Sequence, residues 1–127
     1  MQSNRLRILL VDDEQDVVTT LQEGLTYFGF KVDAFTNPEE ALSEFKAGTY
    51  DAAVLDIRMP KISGFELARK LWEQDPRIQI CFLTAFEIYE AEAHRVFPTM
   101  KSITFIKKPV APSTLAKHIQ SRFVEAT

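Results

Sequence analysis

The chain has 127 residues, a length that fits one domain around a single core. Apolar residues make up 46% and charged residues 26%, the balance of an ordinary globular protein. The formal net charge of −3 leaves no basic footprint and argues against direct nucleic-acid binding.

The one cysteine, Cys81, stands in the apolar run IQICFLTA and cannot form an internal disulfide. No apolar run reaches the ~18 residues of a transmembrane helix. The opening MQSNRLR is not followed by an apolar region of signal type. A cytoplasmic location with no membrane contact is the expectation.

Short apolar runs alternate with longer segments of helical period. The pattern predicts a first strand over Leu6 to Val11 and a helix from about Asp16 to Phe28. In that helix Val17, Val18, Leu21, Leu25 and Phe28 form one stripe, and Gly29 ends it. KVDAF is an alternating strand of edge type. TNPEEAL opens a second helix, with Asn37 as N-cap and Pro38 in its first turn, and Gly48 is expected to close it. YDAAVLDI is a third strand, followed by a helix from Ser63 to Glu73 with Phe65, Ala68, Leu71 and Trp72 inward. IQICFLTA is the fourth strand, Phe86 to Phe97 a fourth helix, SITFIKK the fifth strand, and Pro112 to Glu125 a final helix.

Five strands, each followed by a helix, argue for a parallel sheet covered on both faces. Right-handed crossovers leave few topologies. The expected fold is α/β: a single doubly wound, flavodoxin-like five-stranded sheet of order 2-1-3-4-5. Its ligand site then lies at the C-terminal strand ends, at the switch point between strands one and three.

At those ends stand Asp12 and Asp13, Asp56, Thr84, and Lys107 and Lys108 before Pro109. Adjacent carboxylates repel and raise the cost of ionising one another. Three of them in one pocket need a cation, and oxygen-only ligation favours a hard divalent ion such as Mg²⁺. A lysine and a hydroxyl beside them aim donors at an anion. Together they make a site for phosphoryl transfer, in which positioning and charge neutralisation do most of the work. One carboxylate can itself be the nucleophile. Asp56, at the end of the most apolar strand, is the candidate, which leaves Asp12 and Asp13 to hold the metal.

With these residues in this order, the chain resembles a receiver domain of two-component response regulators, from Leu6 to about Val124. The resemblance implies one receiver domain over residues 1–127, core about 6–124, with no effector domain in this chain. It implies that Asp12, Asp13, Asp56 and the backbone carbonyl of Arg58 hold Mg²⁺. Asp56 becomes the phosphoacceptor. Thr84 in LTA becomes the switch hydroxyl, and Lys108 in KKP, rather than Lys107, the phosphate-binding lysine. Phe105, three residues before that lysine, takes the place of the switch aromatic, and Lys108–Pro109 is often cis in the family. The implied partners are a sensor histidine kinase or phosphotransfer protein and a downstream effector. The face of helix four, strand five and the last helix would be read by partners, or used in a weak homodimer, the alternative being a monomer. The domain would assist its own phosphotransfer and dephosphorylation without being an enzyme in the usual sense.

Two departures stand out. TMKS precedes strand five where many relatives carry Gly-Ala, and Phe105 lacks the hydroxyl of a tyrosine. Arg58 and Phe86, two residues past Asp56 and Thr84, are both large. They are expected to flank the path of the attacking water and to give an acyl-phosphate lifetime longer than minutes.

Blander readings hold elsewhere. Glu14 reads as an exposed neighbour, Asp16 as a helix-start residue favoured by the dipole, and Lys107 as solvent-facing. His94 and His118 lack metal-ligand spacing and read as structural. Phe86, Tyr89 and Phe97 either pack or belong to a partner face, and Trp72 reads as packing. A pseudo-receiver, used only as an interaction module, is the alternative function. A phosphohydrolase is disfavoured because Arg58 stands where such enzymes place a general acid. A nucleotide or flavin module is disfavoured because no Gly-rich loop follows strand one.

Overall fold

The apolar runs pair side by side into one sheet, and the segments between them coil over its two faces. The computed structural model describes residues 6–85, 95 and 103–125. Its elements are β1 (Arg7–Val11), α1 (Gln15–Tyr27), β2 (Lys31–Phe35), α2 (Pro38–Glu44), β3 (Ala52–Asp56), α3 (Gly64–Gln74), β4 (Gln79–Thr84), β5 (Ile103–Lys107) and a C-terminal helix (Pro112–Glu125). The strand order is β2-β1-β3-β4-β5, every pair is parallel, and the expected topology is the observed one. The predicted helix Phe86 to Phe97, and with it Tyr89 and His94, lies outside the described residues apart from Arg95, which is helical and exposed.

Alternation along each strand divides the core in two. Leu9, Val11, Leu55, Ile80 and Phe82 pack with Ala41 of α2 and Phe65, Leu67, Ala68 and Leu71 of α3. Ile8, Leu10, Val54, Cys81, Leu83 and Ile106 pack on the other face with Val18, Leu21 and Leu25 of α1 and Leu115, Ala116 and Ile119 of the C-terminal helix. The central strand β3 is buried along its whole length. Its continuous apolar run, rather than an alternating one, is what a strand covered on both faces requires. Edge strand β2 instead exposes Lys31 and Asp33, charges that discourage pairing with another chain.

Local chemistry sets where the helices start and stop. Asn37 caps α2, its side chain accepting from the backbone N–H of Glu39 and Glu40 at 2.8 and 3.3 Å. Ser63 caps α3 by accepting from Glu66 N–H at 3.1 Å. Helix α1 ends in a Schellman motif, with Phe30 N–H donating to Leu25 O and Gly29 N–H to Thr26 O. Gly29 has the positive φ, 99°, that this motif needs. Two details differ from the sequence reading. Phe28 lies beyond the apolar stripe and is exposed rather than inward. Helix α2 stops at Glu44, four residues before Gly48, because Phe45 turns into an extended conformation. There it buries its ring against the core and stacks on Tyr50 at 5.9 Å.

The C-terminal helix is tied down at its far end. Arg122 donates to Thr104 Oγ1 of β5 at 2.7 Å and to Gln79 Oε1 of β4 at 3.0 Å. No helix among the described residues is long and apolar enough to cross a membrane.

Gly64 positions the end of β3. Its N–H donates to Ile57 O at 2.8 Å, which brings the start of α3 onto the strand end. A Cβ added there would stand 2.2 Å from Asp56 O and 2.8 Å from Ile57 Cα, both backbone atoms with little room to yield. Gly64→Ala is therefore expected to destabilise the fold by about 1–3 kcal/mol. Urea unfolding measures it, and an unchanged midpoint would mean that α3 and β3 separate more easily than this packing allows.

Candidate functional site at the carboxyl edge of the sheet

In a parallel sheet all strands end on the same edge, and the register keeps these ends level. Val11 pairs with Leu55, Asp56 with Leu83, and Thr84 with Lys107. Asp12 follows β1 directly, and its N–H donates to Phe35 O at the end of β2. Asp56 is the last residue of β3 and Thr84 the last of β4. Lys108 follows β5, and its N–H donates to Thr84 O at 2.8 Å. The Lys108–Pro109 bond is cis.

The result is a cleft of about 270 Å³ lined in part by Asp13, Glu14, Asp56, Arg58, Thr84 and Lys108. Asp12, Asp13 and Asp56 each offer a carboxylate oxygen within 4.8 Å of the others. Asp12 is fully buried, Asp56 and Thr84 nearly so, and Asp13 is exposed. The Lys108 ammonium reaches into the group, 3.1 Å from Asp12 Oδ2, 3.2 Å from Glu14 Oε1 and 3.4 Å from Asp56 Oδ1. Glu14 N–H donates to Asp12 Oδ1 at 2.9 Å, so the loop after β1 supports the buried carboxylate from its other side.

Residues as far apart as Asp12 and Lys108 therefore meet, as the strand-end argument requires. Arg58 lies at the cleft with its side chain exposed. Lys107 is exposed, as is Asp16 in the first turn of α1, and His118 is exposed on the C-terminal helix. Phe105 is not in the cleft. It is half-buried on the α3 side, its ring 5.4 Å from that of Phe82. The sequence reading missed Glu14 as a partner of Lys108. Its only signal was a third carboxylate in a row, and sequence does not show which way a long exposed side chain turns.

Charge crowding shapes the titration of the site. Burial, then the Asp12 charge, push the Asp56 carboxyl up to about 7, against the opposing pull of Lys108. Burial also raises Asp12, offset in part by the Glu14 N–H and by Lys108. Burial alone would lower Lys108, but its hydrogen bond to Asp12 and the charges of Asp12 and Asp56 outweigh this and hold it protonated. Three mutually close oxygen donors, two of them ionising at a cost, fit a hard divalent cation.

Asp56 has a consequence for stability. Its pKa is higher in the folded chain than the 3.8 of an unperturbed aspartate, so folding favours the protonated form. The associated stability is fully present below the unfolded value and is lost as pH rises through about 7. Without divalent ions, Asp56→Asn is expected to raise Tm by a few degrees, and by more at about pH 8 than at about pH 5. Mg²⁺ should raise Tm of the parent chain by more than that of Asp56→Asn. A thermal-melt series over pH checks both, and a variant gain that shrinks at high pH would contradict the assignment of this titration to Asp56.

Comparison with known proteins agrees with this geometry. The family model described as the response regulator receiver domain matches residues 8–120. The chain is 33% identical over 116 residues to the response regulator SaeR of Staphylococcus aureus, covering 90% of this chain and 49% of SaeR. It spans about half the length of the curated relatives it matches. Among solved structures, it superposes on a CheY-like receiver domain protein of Methanospirillum hungatei with a TM-score of 0.83, at 25% identity, covering 95% of each chain. It superposes on the response regulator TrrA of Thermotoga maritima, solved in complex with Mg²⁺–BeF, with a TM-score of 0.78 at 32% identity, covering 91% of this chain and 97% of TrrA. With its strand order, its acidic cleft and the lysine that reaches into it, the chain belongs to the response regulator receiver domain family.

Proposed function

We propose that this domain is a phosphorylation-controlled signalling switch that takes a phosphoryl group onto Asp56 from a phosphohistidine of a sensor kinase or phosphotransfer protein. The observation that carries this reading is one cleft holding three mutually close carboxylates and a lysine ammonium in contact with two of them. The TrrA complex supports it by similarity, since the BeF group of such a complex stands in for a phosphoryl group.

Asp12, Asp13 and Asp56, with the backbone carbonyl of Arg58, are the residues that would hold Mg²⁺. When bound, the ion supplies positive charge to the phosphoryl oxygens and lowers the cost of ionising the crowded carboxylates. An Asp56 carboxylate oxygen forms the bond to phosphorus while the donor's P–N bond breaks, and the departing imidazole nitrogen takes a proton from solvent. Lys108 donates to one phosphoryl oxygen and Thr84 to another. The movement of Thr84 vacates space for Phe105, and the face built from β5, the C-terminal helix and the predicted fourth helix changes shape. The charge added at Asp56 biases two existing conformations, and a downstream effector reads the favoured one. The domain works in the cytoplasm, as a monomer or as a weak homodimer through that face, and the reading gives nucleic acid no direct contact with it.

Incubation with acetyl phosphate, with and without Mg²⁺, followed by intact-mass measurement, tests the reading. The expected result is a Mg²⁺-dependent gain of one phosphoryl group that is absent in Asp56→Asn. No gain from a folded chain would favour a pseudo-receiver that binds partners unmodified.

The same experiment followed over time addresses hydrolysis. Arg58 borders the cleft, and Phe86 lies outside the described residues. The phosphorylated form is expected to last longer than minutes, and Arg58→Gly combined with Phe86→Ala should shorten that lifetime. An unchanged rate of phosphate loss would show that neither side chain shields the acyl-phosphate.

A further inference from the structure

Glu14 is the N-cap residue of α1, yet its carboxylate makes no capping hydrogen bond. The side chain turns instead to Lys108, placing Oε1 3.2 Å from Nζ. The same ammonium lies 3.1 Å from Asp12 Oδ2 and 3.4 Å from Asp56 Oδ1. A lysine has three N–H donors, and three carboxylates lie within reach of them. To follow the anion as it moves out onto a phosphoryl group on Asp56, the ammonium must shift, and the two partners that keep their charge, Asp12 and Glu14, resist that shift.

The three partners are not equal. Asp56 gives up its carboxylate charge to the phosphoryl group it carries, so its claim on the ammonium passes to the new anion, while Asp12 is buried at a strand end and its release would leave a charge out of water. The Glu14 side chain is 63% exposed and can turn into solvent at little cost. It also stands outside the group of carboxylates whose oxygens lie close enough together to share a cation.

We propose that Glu14 is a positioning residue whose carboxylate holds the Lys108 ammonium back from the phosphoryl group on Asp56, so that its release sets how readily the switch closes. This inference rests on the reading of Asp56 as phosphoacceptor. The hold is weak because the pair is partly exposed, and its removal is worth about two- to fivefold in anion affinity. A rival account gives Glu14 only a diffuse negative field that repels the incoming anion. That account predicts the same direction of change without any dependence on Lys108 or on reach.

The test is the affinity for beryllofluoride at saturating Mg²⁺ and physiological ionic strength, measured by calorimetric titration of the folded domain. The parent chain is expected to bind, and Glu14→Gln to bind about two- to fivefold more tightly with an unchanged Tm. Glu14→Asp keeps the charge but loses the reach, and should behave like Glu14→Gln. In the Lys108→Ala background, Glu14→Gln should bring no further gain. A gain of equal size in that background, or a Glu14→Asp variant that matches the parent, would overturn the proposal in favour of the diffuse field. If Lys108→Ala binds too weakly to measure, the Glu14→Asp comparison decides alone. Binding by the parent with no change in Glu14→Gln overturns the role of Glu14 and leaves Asp56 standing, whereas a folded parent that does not bind overturns both.

Discussion

Negative charge gathered at one edge of the sheet is the constraint to which the rest of the site answers. Asp12 and Asp56 are buried there, close together, with Asp13 in reach of both. Burial and mutual repulsion make their ionisation costly, and the Lys108 ammonium recovers part of that cost by touching both buried carboxylates. A fold that keeps such a cluster is less stable at that edge than one with apolar residues would be. On the reading proposed above, a cation and an incoming anion complete the arrangement that Lys108 begins.

The sheet makes this edge rigid enough to hold the charges in place. Every strand that contributes a site residue is bonded on at least one side in parallel register, and β3, which carries Asp56, is bonded on both and buried throughout. The loops then need only one or two residues to deliver a side chain. Asp12 follows its strand directly, and Lys108 is anchored by its own N–H to Thr84 O. The close approach of α3 through Gly64 supports the Asp56 backbone from behind. In the turn beyond it Lys61 takes a positive φ of 72°, which costs a side chain of its type about 1 kcal/mol.

Much of this was legible in the sequence because it depends on period and punctuation. Alternation of apolar runs fixed the strands, and strand ends followed by Asp, Thr and Lys located the cleft. Asn37 and Gly29 bounded their helices through local hydrogen bonding that needs no knowledge of the fold. What was not legible depends on tertiary contact. Phe45 leaves α2 early because the core has room for its ring, and Gly48 therefore closes a turn rather than a helix. Glu14 looked like an idle neighbour because its partner stands 94 positions away. Long flexible side chains find partners by reach, and neither propensity nor spacing encodes that.

On the reading proposed above, the absence of a hydroxyl on Phe105 places the burden of switching on packing. A tyrosine at this position could anchor either orientation by a hydrogen bond, but a phenylalanine can be held only by contacts. Here Phe105 rests against Phe82 at 5.4 Å, and Phe82 in turn meets Phe65 edge-on at 4.9 Å. Phe65 opens α3 beside Gly64, whose backbone lies against that of Asp56. The three rings thus form a continuous contact from the start of α3, beside the end of β3, to β5, on the face of the sheet away from α1. On the reading proposed above, Phe105 senses Asp56 along two routes: directly, through the space beside Thr84, and indirectly, through how Phe82 is packed. Aromatic pairs of this kind are worth about 1 kcal/mol beyond the area they bury. That is enough to bias a population, and too little to lock it, so the domain would sample both states and the charge at Asp56 would set their ratio.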